Sequence, residues 1–155
     1  MKIMQAKTVD PPLVWRVKDT DLDSICPWVL PALKKKWPRL NEDGISYWFK
    51  SAIGDRSTLF ARTQNVVGMF HVVRDILEPS PTVMEKFVRA NDEATSDEKN
   101  LVYGMMKEWA ISIKARECVI GLDSDSNMSG HVVPYLSTLA TPLTKRQIYR
   151  LSLTE

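Results

Sequence analysis

The apolar positions change period along the chain, and each change marks an element. Leu13-Val14-Trp15-Arg16-Val17 is a short β-branched and aromatic run that predicts a first strand. Asp19, Thr20 and Asp21 then supply capping side chains, and Ile25, Val29, Leu30 and Leu33 recur at helical spacing. Pro27 and Pro31 fall inside that pattern. Each removes a backbone donor, so a kinked or split helix is expected, ending at Trp37-Pro38. Residues 41–44 cap a second helix that carries Ile45, Trp48, Phe49 and Ile53, with Gly54 as its stop. This aromatic stripe reads as core packing, with Tyr47 and Trp48 as candidates for a substrate wall. Residues 58–63 predict a second strand, Gln64-Asn65 a tight turn, and residues 66–74 a third strand. A proline-bearing loop, 75–81, leads to a fourth strand over 82–89.

The rest of the chain is organised around the block 66–140. Residues 91–98 hold no apolar side chain larger than alanine and read as a loop leading to a helix N-terminus. Thr95 and Glu98 stand at capping-box spacing. Leu101, Val102, Met105, Met106, Trp109 and Ile113 give one apolar face to a helix over 100–114. Residues 117–123 predict a strand, nearly continuous in apolar residues from Val119 to Leu122, as in a strand enclosed on both faces. A polar loop, 123–130, a short helix interrupted by Pro134, and a closing strand over 145–153 come next. At 155 residues, one domain spanning 1–155 is expected.

Composition narrows the function classes. With 44% hydrophobic and 26% charged residues the chain is of ordinary globular type. A net charge of +2 is too balanced to point to nucleic acid or an anionic membrane, and the basic run at Lys34, Lys35, Lys36 and Arg39 reads as a solvated helix end. No stretch has the length of a membrane span, and residues 1–12 lack the apolar core of a signal peptide, so a cytoplasmic location is expected. Cys26 and Cys118 are far apart, and with only His71 and His131 no metal-binding spacing occurs. The loop 123–130 lacks the glycine and terminal glutamate of a calcium-binding hand, so no metal is expected there.

The order strand, two helices, three strands, helix, strand, helix, strand resembles the GCN5-related N-acetyltransferase (GNAT) superfamily over almost the whole chain. Residues 101–140 carry the resemblance best: an amphipathic helix, the strand at 118–122, a polar turn with Asn127, and Tyr135-Leu136-Ser137-Thr138-Leu139. The stretch 131–140 is similar to short GNAT-like proteins of tailed bacteriophages. The resemblance implies an α/β (α+β) fold with a central mixed, mostly antiparallel sheet flanked by helices. It also implies acetyl-CoA as donor, its pantetheine arm lying where the fourth strand splays from the fifth. Phe87, Val88 and Arg89 at that splay, Thr95, Ser96 and Lys99 at the following helix, and Asn127 are then the cofactor-binding candidates. Tyr135 would protonate the leaving thiolate, and Glu85 is the candidate base.

The loop 90–100 departs from the family pattern Gln/Arg-x-x-Gly-x-Gly/Ala. It contains no glycine and carries Asp92, Glu93, Asp97 and Glu98, which oppose a pyrophosphate. Glu85 shares strand parity with Val83 and Phe87 and so faces either a cleft or solvent. His71, the other candidate base, follows Phe70 in an apolar strand and reads better as a hydrogen-bonded structural histidine. Two functions therefore stay open. One is an acetyltransferase acting on an amine of a protein or small molecule. The other is a catalytically silent GNAT-fold phage protein, located in the host cytoplasm or the virion, that binds a host protein or other virion proteins.

Overall fold

The computed structural model describes residues 13–121. In chain order these form β1 (Trp15–Arg16), a 3-10 turn (Asp19–Asp21), α1 (Leu22–Lys36), α2 (Glu42–Ala52), β2 (Thr58–Arg62), β3 (Val66–Val73), β4 (Thr82–Ala90), α3 (Ser96–Ser112) and β5 (Glu117–Val119). The strands make one sheet in sequence order, antiparallel throughout except for the parallel pair β4–β5. The expected mixed, mostly antiparallel sheet flanked by helices is what the chain forms. The last predicted helix and strand lie outside the described residues.

Each face of the sheet buries its own core. On one side α1 and α2 contribute Ile25, Val29, Leu33, Ile45 and Phe49, packed on Phe60, Val67, Met69 and Phe87. Phe49, Phe60 and Phe87 meet with ring centroids 5.1 to 6.4 Å apart, and Trp48 lies edge-on to Phe87 at 5.8 Å. Such ring pairs add about 0.5–1.5 kcal/mol each beyond the area they bury. Trp48 is thus largely a packing residue, while Tyr47 projects into solvent. On the other side α3 lays Val102, Tyr103, Met106 and Ala110 over Leu59, Val66, Phe70, Val83 and Val88. Gly68 permits this approach: a Cβ there would come within 2.8 Å of Val102 Cγ1.

Three elements depart from the sequence reading. α1 is one continuous helix despite Pro27 and Pro31. The two prolines are four residues apart on its exposed face, so the carbonyls they deprive of donors turn to water and the helix need not break. α3 starts at Ser96 rather than residue 100, because the capping box places Thr95 at the cap itself. β5 is only three residues long and half-buried, not enclosed on both faces. The lysine run does end α1, in the last turn where it complements the helix dipole, with Lys34 also 2.8 Å from Glu42.

One buried cation pins the sheet to α1. Arg62 is 5% exposed; it donates to Asp21, to Ser24 Oγ and to the carbonyls of Thr63 and Gln64. Its guanidinium also stacks 5.2 Å from the Trp15 ring. Each of its three nitrogens donates, which is the condition for tolerating a charge there.

Candidate functional site around Glu85

β4 is built in two halves. Its first residues pair with β5 in parallel, Thr82 to Glu117, Val83 to Cys118 and Met84 to Val119. All three residues of β5 are used in this pairing, and the described chain ends two residues later at Gly121. Just beyond the pairing β4 carries a β-bulge. Met69 of β3 faces Phe87 while Phe70 faces Glu85, leaving Lys86 as the extra, exposed residue. An extra residue bends the strand and switches the faces of the residues after it.

That switch decides where Glu85 points. Regular alternation would put Val83, Glu85 and Phe87 on one face. Instead Phe87 is driven into the α1–α2 core, while Val83 and Glu85 stay on the α3 side. The shared parity expected of Glu85 and Phe87 is therefore broken by the bulge at Lys86. Glu85 is half-buried. Its Oε1 accepts from the Tyr103 hydroxyl at 2.5 Å, and its Oε2 accepts from the Gly121 amide at 3.3 Å. The carboxylate thus ties β4 to α3 and to the chain leaving β5.

Tyr103 is the partner that sequence reasoning missed. The apolar stripe drawn along α3 omits it, although it shares the inner side with Val102, Met106 and Ala110. Only 1% of it is exposed, and its ring stands edge-on to Phe70 at 6.1 Å. Burial, then the Glu85 charge, push its phenol far above the usual value. It therefore remains a donor and holds the carboxylate in one orientation.

Beyond the bulge β4 remains paired with β3. The Asn91 amide donates to the Asn65 carbonyl at 2.9 Å, which marks a hydrogen-bonded pair. By antiparallel alternation Arg89 and Phe87 turn their backbone groups to β3, whereas Ala90 and Val88 turn theirs towards the β5 side. Arg89 Nη1 donates to the Val88 carbonyl at 2.8 Å. The Phe87 and Val88 side chains belong to the two cores, so neither reaches towards a ligand.

The α3 N-terminus is closed by its own side chains. Thr95 Oγ1 accepts from the Glu98 amide and Glu98 Oε1 from the Thr95 amide, a reciprocal capping box. Glu98 is 6% exposed and turns inwards, accepting from Thr63 Oγ1 at 2.7 Å, Asn65 N at 3.0 Å and Asn65 Nδ2 at 3.1 Å. Burial alone would raise its pKa; the hydrogen bonds from Thr63, Asn65 and Thr95 outweigh that and hold it below the usual carboxylate range. Lys99 is 4% exposed on the inner side of the helix, and Ser96 lies on the outside of its first turn. Asn127 and Tyr135 lie outside the described residues.

His71 belongs elsewhere. It pairs with Thr58 and Met84, on the sheet face opposite Glu85. Thr58 Oγ1 donates to Asp55 Oδ2 at 3.0 Å, and its single proton is then spent, so His71 Nδ1 is the donor in their 3.0 Å contact. Burial, then Lys86, lowers the imidazole pKa against the pull of Asp55. A cleft of about 310 Å³ near this end, lined by Arg16, Gly54, Asp55 and Arg56 among others, shares no residue with the Glu85 cluster.

No family model matches the sequence, and no curated relative matches it either. Solved structures do. The aminoglycoside N-acetyltransferase AAC(6')-Iy in complex with CoA superposes with a TM-score of 0.72 at 13% identity, over 97% of this chain and 100% of that one. A putative acetyltransferase of Agrobacterium tumefaciens gives 0.65 at 10% identity, over 89% and 99%. An aminoglycoside acetyltransferase from an uncultured soil metagenomic sample, in complex with sisomicin, gives 0.63 at 8% identity, over 91% and 97%. The chain has the GNAT fold. Glu85 lies beside the end of β5, its carboxylate bonded to Tyr103 and Gly121. At the α3 N-terminus the amides of Glu93, Ala94, Thr95 and Glu98 bond within the loop and capping box.

Proposed function

We propose that this protein transfers an acyl group from a pantetheine-type thioester, acetyl-CoA being the reference donor, to a primary amine. The observation that carries the reading is the Glu85 carboxylate, fixed by Tyr103 and the Gly121 amide beside the parallel β4–β5 pair in a chain of GNAT fold.

The thioester supplies an activated acyl carbon. Glu85 then acts as general base: its carboxylate, fixed by Tyr103 and Gly121, takes the proton the amine loses as the N–C bond forms and the C–S bond breaks. The thiolate leaves with a proton, for which Tyr135 is the proposed donor. Holding the base in one orientation matters as much as its basicity, since most of the acceleration in such transfers comes from positioning. The acceptor is proposed to be a small molecule with amino groups, in keeping with two similar structures being of aminoglycoside acetyltransferases. An amine on a host protein is the second acceptor class.

A catalytically silent phage protein that binds a host or virion protein is the competing reading. The self-bonded α3 N-terminus is the observation that favours it. Release of free thiol from acetyl-CoA, followed by a chromogenic thiol reagent across a panel of primary amines including aminoglycosides, separates the two. Amine-dependent thiol release is expected; none with any amine, at protein concentrations where the chain is folded, would leave the binding reading in its place.

A further inference from the structure

The connection between β3 and β4 holds the two most exposed large apolar side chains among the described residues. Ile76 is 102% and Leu77 88% exposed. They do not sit on a loose loop. The Glu78 amide donates to the Asp75 carbonyl at 3.3 Å, and the Leu77 amide donates to Asp75 Oδ1 at 3.0 Å. Residues 75–78 are thus a hydrogen-bonded turn fixed by its own aspartate, with Ile76 and Leu77 at its corner. Burying such a pair is favourable wherever apolar surface meets it, and a preset turn lowers the ordering cost of doing so.

The cleft of about 310 Å³ beside β1 and β2 has the complementary make-up. Val17, Ala52, Ile53 and Phe60 supply apolar lining, and Arg16 and Arg56 supply positive charge. Both arginines are exposed, and among the described residues neither is in an ion pair. Asp55, the acid of the lining, is already engaged: Oδ1 accepts from the Ser57 amide and Oδ2 from Thr58 Oγ1, each at 3.0 Å. The turn offers the opposite sign, since exposed Asp75 and Glu78 flank Ile76 and Leu77. With Arg74 included the turn carries a net charge of −1, and with Asp55 included the cleft carries +1. An apolar pair between acids faces an apolar hollow between arginines.

We propose that the β3–β4 turn of one chain docks into this cleft of a second copy, making the protein a two-fold dimer. The turn does not fill the cleft of its own chain, because Ile76 is fully exposed and no residue of 74–81 lines the cleft. Their placement suits a reciprocal contact. Thr58 of the cleft pairs with His71, two residues before β3 ends at Val73, so turn and cleft share one end of the sheet. Val73 and Met84, 42% and 37% exposed, lie on the sheet face of Thr58 and His71 and add apolar surface beside the turn. A turn and a cleft at one end of one face each meet their counterpart across a two-fold axis, which closes the assembly at two copies. The dimer is independent of the acyl-transfer reading and holds whichever function Glu85 serves.

Sedimentation velocity of the full chain, up to about 100 µM, measures its mass against the 17.7 kDa of one copy. A dimer is expected. Leu77→Asp is expected to leave a monomer with an unchanged thermal melt, since the side chain it replaces is exposed. Arg16→Glu/Arg56→Glu is expected to raise the dimer Kd about tenfold or more, and adding Glu78→Arg to that variant to restore part of the loss. A native chain that stays monomeric at about 100 µM would overturn the proposal. So would a dimer left untouched by either Leu77→Asp or the arginine reversal, because the contact would then lie elsewhere.

Discussion

Glu85→Gln is expected to lower kcat for amine acylation by about 10²–10⁴-fold, the usual worth of a positioned general base, with little change in the KM for the thioester. The reasoning is local. Gln keeps the size of the side chain and one carbonyl oxygen, so a bond to Tyr103 or to Gly121 survives and the local packing is kept. What it loses is the capacity to take a proton from the amine. A loss in kcat without loss of fold therefore isolates the chemistry, and steady-state kinetics beside a thermal melt of the same variant checks both halves. Unchanged kcat would remove Glu85 from the reaction and leave it as a structural tie between β4, α3 and the end of β5.

Glu98→Ala is expected to destabilise the chain by about 3 kcal/mol, read from urea unfolding at neutral pH. Alanine removes the reciprocal half of the capping box, leaves Thr63 Oγ1 and Asn65 Nδ2 short of an acceptor, and leaves Asn65 N only its 3.3 Å bond to Thr63 Oγ1. Glu98→Gln, which keeps one acceptor oxygen, is expected to cost less. The ionised carboxylate adds a pH signature. Its folded pKa lies below the ordinary 4.5, so its contribution is complete above about pH 4.5 and fades as pH falls through the lower folded value. The native chain should lose stability over that acid window, and Glu98→Ala should lose correspondingly less. A variant as stable as the native chain at pH 7 would contradict the network.

The same residues show how far the sequence could be read. The capping box at Thr95 and Glu98 is visible in it, and that signal alone starts α3 at Ser96 rather than four residues later. The tertiary use of Glu98 is not visible, because nothing local says that its carboxylate will reach across to Thr63 and Asn65. The four carboxylates that the sequence places around a pyrophosphate loop are three exposed ones and one folded inwards. β4 shows the limit most clearly. Thr82 to Arg89 reads as an unbroken strand, and the bulge at Lys86 is set by pairing with β3, not by any glycine or proline. Without the bulge Glu85 and Phe87 would share a face, and the site would be misplaced. Tyr103 is hidden for a related reason: an apolar stripe drawn through Leu101 and Met105 runs to one side of the true inner face, which sheet contact defines. Topology is more robust than any of these, since the hairpin turn at Gln64-Asn65 and the stop at Gly54, with its φ of 80°, are fixed by local backbone chemistry.

The acyl-transfer proposal places the thioester beside Glu85 at the end of β5. Amide chemical shifts during titration with acetyl-CoA address it directly, because the Gly121 amide bonds to the Glu85 carboxylate. Shifts that include Glu85 and Gly121 are the expected result. No shift at either up to millimolar ligand would contradict it.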